Sequence, residues 1–120
     1  MTPTAPARDA LLLAFSRALA ARDMDALYRA VAPDFLWSYH DGVSITKSLT
    51  SAGPISDHLA EQNSLFSAQR FHERAYHHLD VMTFMTMRVS ETVRTTGEQR
   101  EQRGIEHYTF KDGKITTKDV

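Results

Sequence analysis

The chain has 120 residues, carries 14 Lys and Arg against 15 Asp and Glu, and contains no cysteine. One domain of this size can bury an ordinary core. A net charge of -1 offers no long-range pull toward nucleic acid or an anionic membrane, and disulfides, thiolate metal sites and cysteine nucleophiles are excluded.

Met1 to Ala7, with Pro3 and Pro6, reads as a flexible tail ahead of a single domain over residues 8–120. Ala10 to Ala21 has the look of a secretory signal. Asp9, however, stands where a signal carries positive charge, and Arg17 interrupts the apolar run. Leu12, Phe15 and Leu19 recur at helical spacing, so an amphipathic first helix is expected over Arg8 to Ala21. No run reaches the ~18 apolar residues of a membrane span, and a cytoplasmic protein is expected. Asp23 caps a second helix with Met24, Leu27, Tyr28 and Val31 on its apolar face, and Pro33 ends it.

Asp34 to His40 is a strand by its aromatics and the Asp41-Gly42 that follows. Val43 to Gly53 reads as a loop or ragged strand. Gly53-Pro54 opens a third helix, with Ile55, Leu59, Gln62 and Phe66 facing inward. After Gln69 helical spacing gives way to strands. These are Arg70 to Leu79, Val81 to Thr95, Gln99 to Phe110 with Gly104 as a bulge, and Lys114 to Val120 after an Asp112-Gly113 hairpin turn. Helices first and antiparallel strands last give an α+β domain, with helices packed on one face of a curved sheet that buries alternate residues.

This order resembles the nuclear transport factor 2-like superfamily, in particular its SnoaL-like, polyketide cyclase-like branch. The residues that carry the resemblance are Arg22-Asp23-Met24-Asp25-Ala26-Leu27, Ala32-Pro33-Asp34-Phe35-Leu36-Trp37 and Tyr108-Thr109-Phe110-Lys111-Asp112-Gly113-Lys114-Ile115. The resemblance covers nearly the whole chain from about Ala10. It implies a cone-like curved antiparallel β-sheet wrapped around three N-terminal helices, with a pocket at the open end. It also implies a homodimer paired through the convex sheet face. The family includes isomerases, dehydratases, cyclases, epoxide hydrolases and proteins without chemistry, so function rests on the site.

Known catalytic groups carry over poorly. Similarity to ketosteroid isomerase puts Tyr39 at the place of the aspartate base and Phe15 at that of an oxyanion tyrosine. Glu106-His107 falls on its Asp-His pair. Similarity to scytalone dehydratase keeps a tyrosine at Tyr39. Its two histidines fall on Arg70 (or His72, one small shift away) and Met85, and its helical Tyr-Asp pair falls on Leu19 and Ala20. No equivalent of the Asp-Arg-Asp cluster of limonene epoxide hydrolase is found.

Alternation within the strands supplies the candidate site. Trp37 and Tyr39 share a face with Phe35 behind them; Glu106, Tyr108 and Phe110 share another; Arg70 and His72 a third; Met85 and Met87 a fourth. If these faces converge, they make an aromatic and Met-lined pocket with few polar groups, the composition of a small-molecule site. Tyr39 and Glu106 would exchange protons, and Arg70 or His72 would hold an anionic oxygen. Phe15, Trp37, Met85 and Tyr108 would contact the substrate. Glu106 has two readings: a neutral acid raised by burial, or a carboxylate paired with Arg70. The plain alternative is that Tyr39, Arg70 and Glu106 satisfy one another inside a core.

Other constellations carry less. Adjacent His77 and His78 face opposite sides of a strand, and no helical His-x-x-x-His spacing occurs, so no metal is expected. Asp57 and His58 diverge by about 100° on their helix and do not form a dyad. Glu98 to Arg103 reads as a solvated strand edge. No glycine-rich phosphate loop or nucleophilic serine motif is present. The expected function is a cofactor-independent isomerase, dehydratase, cyclase or hydrolase acting on a small apolar molecule. The alternative is a non-catalytic binding or dimerisation module of the same fold.

Overall fold

The computed structural model describes residues 2–120. Its elements are α1 (Ala5–Ala21), α2 (Met24–Ala30), β1 (Val31–His40), β2 (Ile45–Leu49), α3 (Ala52–Leu65), β3 (Phe66–His78), β4 (Met82–Val93), β5 (Gln99–Lys111) and β6 (Lys114–Asp119). The expected α+β architecture is present: three helices and a curved, unclosed sheet of six strands.

Several boundaries differ from the sequence reading. α1 starts at Ala5 because Thr4 caps it, its Oγ1 accepting from the Ala7 N–H at 3.4 Å. Pro6 sits in the first turn, where an N–H has no helical partner anyway. α2 begins as expected, with Asp23 Oδ1 accepting from the Ala26 N–H at 3.0 Å. It ends at Ala30 rather than at Pro33. β1 runs through Pro33, in a stretch where its pairing with β6 is irregular and a missing N–H breaks no ladder. The ragged segment after Asp41 contains β2, antiparallel to β1.

The strand order is β2-β1-β6-β5-β4-β3. The last four strands form the expected antiparallel meander, while β1 lies parallel to β6. Asp112 and Gly113, with φ of 51° and 75°, form the tight β5–β6 turn. Gly104 is not a bulge: it pairs in register with Met87. It is the site of a close approach, since a Cβ there would lie 2.7 Å from Met87 Cε.

Two bulges elsewhere decide which side chains meet. β3 carries one extra residue between His72 and Ala75, where Glu73 takes a φ of 53°. β6 carries one between Ile115 and Thr117. Each reverses the inward-outward alternation beyond it.

The helices cover the concave face. Phe15 of α1 meets Phe35, Trp37 and Tyr108 edge-on, with ring centroids 5.7, 6.2 and 6.4 Å apart. Leu27, Ile55 and Ile115 are fully buried around this aromatic centre. The N-terminus of α1 is fixed by Arg8, a buried guanidinium that donates to the carbonyls of Pro3, Leu79, Asp80 and Met82. One helix residue thus closes the β3–β4 turn. Residues 2–7, expected as a flexible tail, include this anchored segment.

Candidate functional site

Pleating brings β1, β5 and β6 together at one point of the concave face. Trp37 pairs with Lys118, and Lys118 pairs with Tyr108. These three side chains therefore stand in a row across adjacent strands. Glu106 lies two residues before Tyr108, on the same face.

Glu106 is buried, but Arg70 is not its partner. Lys118 is, with Nζ 3.0 Å from Glu106 Oε1 and side chains only 6% and 7% exposed. The Tyr108 hydroxyl donates to the other carboxylate oxygen, Oε2, at 3.0 Å. The Lys118 ammonium also rests 4.0 Å from the centre of the Trp37 ring and 5.2 Å from that of Phe15. Burial, followed by the Glu106 charge and its hydrogen bond, pushes the Tyr108 hydroxyl well above its usual value.

Arg70 and His72 are turned the other way. Arg70 pairs directly with Ser90, and His72 with Arg88. Met85, which pairs with Glu106, is an odd number of residues from both on a regular strand. Arg70 and His72 therefore occupy the convex face, where Arg70 is exposed and His72 Nε2 contacts Ser90 Oγ at 2.8 Å. The Glu73 bulge is the cause: without it, both would share the inward face of Tyr76. They are not positioned to hold an oxygen beside Glu106.

The remaining expected residues converge. Phe15, Trp37, Met85 and Tyr108 are all buried in one cluster, with Tyr39 packed against it. Their inner surfaces meet one another as core. Two clefts on the surface lie elsewhere: one of about 510 Å3 between α1 and α2, and one of about 300 Å3 beside Pro33 and Lys111.

Tyr39 faces a group that strand alternation does not reveal. Its hydroxyl lies 2.9 Å from Nε2 of His58, and the two rings are 5.2 Å apart. His58 is buried on α3, at i+3 from the fully buried Ile55. That spacing was the available signal, masked by pairing His58 with its neighbour Asp57. The other ring nitrogen, Nδ1, lies 2.9 Å from Lys47 Nζ, and Lys47 is 3.2 Å from Glu61 Oε2. A polar chain thus runs from the exposed Glu61 through Lys47 and His58 to Tyr39.

Burial and then the negative charge of Glu106 raise the Tyr39 hydroxyl above the usual phenol value, so it stays protonated. The Trp37 indole N–H opposes this weakly. It lies close enough to favour the phenolate but does not reach hydrogen-bond geometry. Burial first, and Lys47 and Lys118 next, hold the His58 imidazole below its ordinary value against the opposite pull of Glu61. The site is therefore a neutral tyrosine and a neutral histidine beside a buried ion pair. Among the described residues no group of three or more His, Asp or Glu is placed to hold a metal.

No helix is long and apolar enough to cross a membrane among the described residues. A comparison with curated protein sequences finds no match. Solved structures share the fold. TerC, co-crystallised with polyporic acid, aligns with a TM-score of 0.76 and 16% identity over 94% of this chain and 88% of its own. A nuclear-transport-factor-2-like protein from Burkholderia xenovorans LB400 aligns with a TM-score of 0.82 and 13% identity, over 97% and 88%. A protein from Xanthomonas campestris that bears the name of a polyketide cyclase aligns at 0.75 and 16%, over 96% and 90%. A family model described as a SnoaL-like domain matches residues 12–118, and the chain belongs to that family, within the nuclear transport factor 2-like superfamily.

Proposed function

We propose that the chain binds a small, largely apolar molecule bearing an oxygen function at the concave face and moves protons on it. Tyr39 is the donor, Glu106 the acceptor, and Lys118 the charge that steadies Glu106. The ligand would lie at the half-buried Tyr39 end of this face, with Phe15, Trp37 and Met85 as the packed apolar core behind it. The observation that carries this reading is the buried Glu106–Lys118 pair beside Tyr39. Desolvating two charges costs free energy that an apolar pair of similar volume would avoid. A charged pair kept in the centre of the fold at that cost supports a role for it in proton transfer. The names of the structural neighbours support an oxygenated, polyketide-like skeleton as the substrate class.

The test is proton exchange. A panel of small aromatic ketones and phenolic ketones in deuterium oxide is followed by NMR for label entering the carbon next to the carbonyl. The intact protein should accelerate exchange for at least one compound, and Tyr39→Phe and Glu106→Gln should each lower that rate at least tenfold. Equal rates in all three proteins would overturn the catalytic reading. Loss of exchange with retained, Tyr39-dependent binding would leave a binding module.

The convex face supports a second reading. Ile105 is 58% exposed there, diagonal to Phe84, whose ring stacks on His77 at 4.6 Å. A homodimer through this face would cover that patch. Sedimentation of the protein and of Ile105→Lys tests it: a dimer that the substitution dissociates supports it, and a monomer in both cases removes it.

A further inference from the structure

His58 has two hydrogen-bond neighbours of different kinds, and that asymmetry fixes its proton. Lys47, paired with Glu61, is an ammonium and can only donate. Nδ1 of His58 must therefore be the acceptor. A neutral imidazole with a bare Nδ1 carries its hydrogen on Nε2, and Nε2 faces the Tyr39 oxygen at 2.9 Å. The Tyr39 oxygen thus receives a donor. Its own proton is directed elsewhere, and among the described residues the hydroxyl has no other partner.

We infer that His58 is a positioning residue that, through the Nε2–H tautomer imposed by Lys47, turns the Tyr39 hydroxyl outward as a donor, so that the site takes its ligand by an acceptor oxygen of the carbonyl type. The ligand half of this statement rests on the function proposed above; the tautomer half does not. The order of charges along the chain, carboxylate, ammonium, imidazole, phenol, leaves only one consistent set of donors. Reversing it would place a hydrogen on Nδ1 against the Lys47 ammonium. The assignment also reverses the role that strand position alone suggests for Tyr39. It is an acid or an oxygen holder, not a base.

Long-range proton–nitrogen NMR on the intact protein at pH 8 reads the tautomer directly. The expected result is His58 with its proton on Nε2, and a shift toward a mixture in Lys47→Met. A proton on Nδ1, or no change in Lys47→Met, would overturn the inference. The ligand half is read with acetophenone against ethylbenzene, two probes of similar shape that differ in the acceptor oxygen. One hydrogen bond is worth about tenfold in affinity, so the ketone should bind about tenfold tighter to the intact protein. His58→Gln, which keeps a donor near the Nε2 position, should retain most of that preference, and His58→Phe should abolish it. A preference unchanged in His58→Phe overturns the positioning role. If neither probe binds but the tautomer is on Nε2, the ligand half falls and the His58–Tyr39 assignment stands.

Discussion

Lys118 and Glu106 meet at 3.0 Å inside the concave face, joined by a register that alternation along β6 would not give. Ile115 and Lys118 both point inward although they lie three positions apart, an odd spacing. The bulge between Ile115 and Thr117 makes that possible.

Breaking this pair from one side should be costly, because the remaining charge is left buried and unpaired. Glu106→Gln and Lys118→Met should each lower stability by about 3–5 kcal/mol. The double variant Glu106→Gln/Lys118→Met should lose markedly less than the sum, since no uncompensated charge remains. Urea unfolding of the four proteins gives the cycle. Additive losses would show that the two side chains do not interact in solution.

His58 provides a pH signature. Its imidazole is held below the ordinary value, chiefly by burial and then by Lys47. The unfolded chain therefore takes up this proton more readily than the folded one. The contribution is complete above the unfolded value of about 6.5 and is lost as pH falls through it toward the lowered folded value. His58→Phe removes both hydrogen bonds and this titration together. At pH 8 it should be about 1–2 kcal/mol less stable than the intact protein. By pH 5 the gap should have narrowed. A gap that is constant or wider in acid would contradict a neutral, buried His58.

The fold was legible in the sequence because its signals are local. Helical spacing in α1, the Asp23 cap, the aromatics of β1 and the Asp112-Gly113 turn each act within a few residues. The inward set was legible wherever strands are regular. Phe35, Trp37 and Tyr39 alternate correctly, as do Glu106, Tyr108 and Phe110. The cation of the site was not legible, and the two bulges explain why. One turns Arg70 and His72 outward and the other turns Lys118 inward, so period-2 reasoning counts Arg70 and His72 in and passes over Lys118. No glycine or proline marks either bulge. The partner of Tyr39 was missed differently: spacing from Ile55 puts His58 on the inward face of α3, but it does not say which strand residue His58 meets there.

Arg8 shows the same limit, and it makes a sharp stability prediction. A residue at the expected edge of a tail proves to be 5% exposed, with its guanidinium bonded to carbonyls of the β3–β4 turn. Lysine has a single donor centre and cannot span these carbonyls. Arg8→Lys should therefore cost about 2–3 kcal/mol, as acceptors are left unsatisfied and a buried ammonium replaces the fork. Hydrogen exchange should show the loss concentrated at Leu79 to Thr83. Uniform loss across the sheet would mean that Arg8 is not the clamp of that turn.

Gly104 isolates a steric effect inside a regular ladder. A Cβ at this position meets Met87 Cε at 2.7 Å and Met87 Cγ at 3.5 Å. Met87 is buried on the concave face, so its flexible thioether end can give way only by repacking against its neighbours. Gly104→Ala should therefore destabilise by about 1–2 kcal/mol through overpacking. In a Met87→Ala background the clashing atoms are gone and the backbone is already extended. There the same change should be neutral or stabilising by about 0.5 kcal/mol, because alanine loses less chain entropy than glycine on folding. A change of sign between the two backgrounds identifies contact with Met87 as the reason for glycine; an equal cost in both would instead point to the backbone.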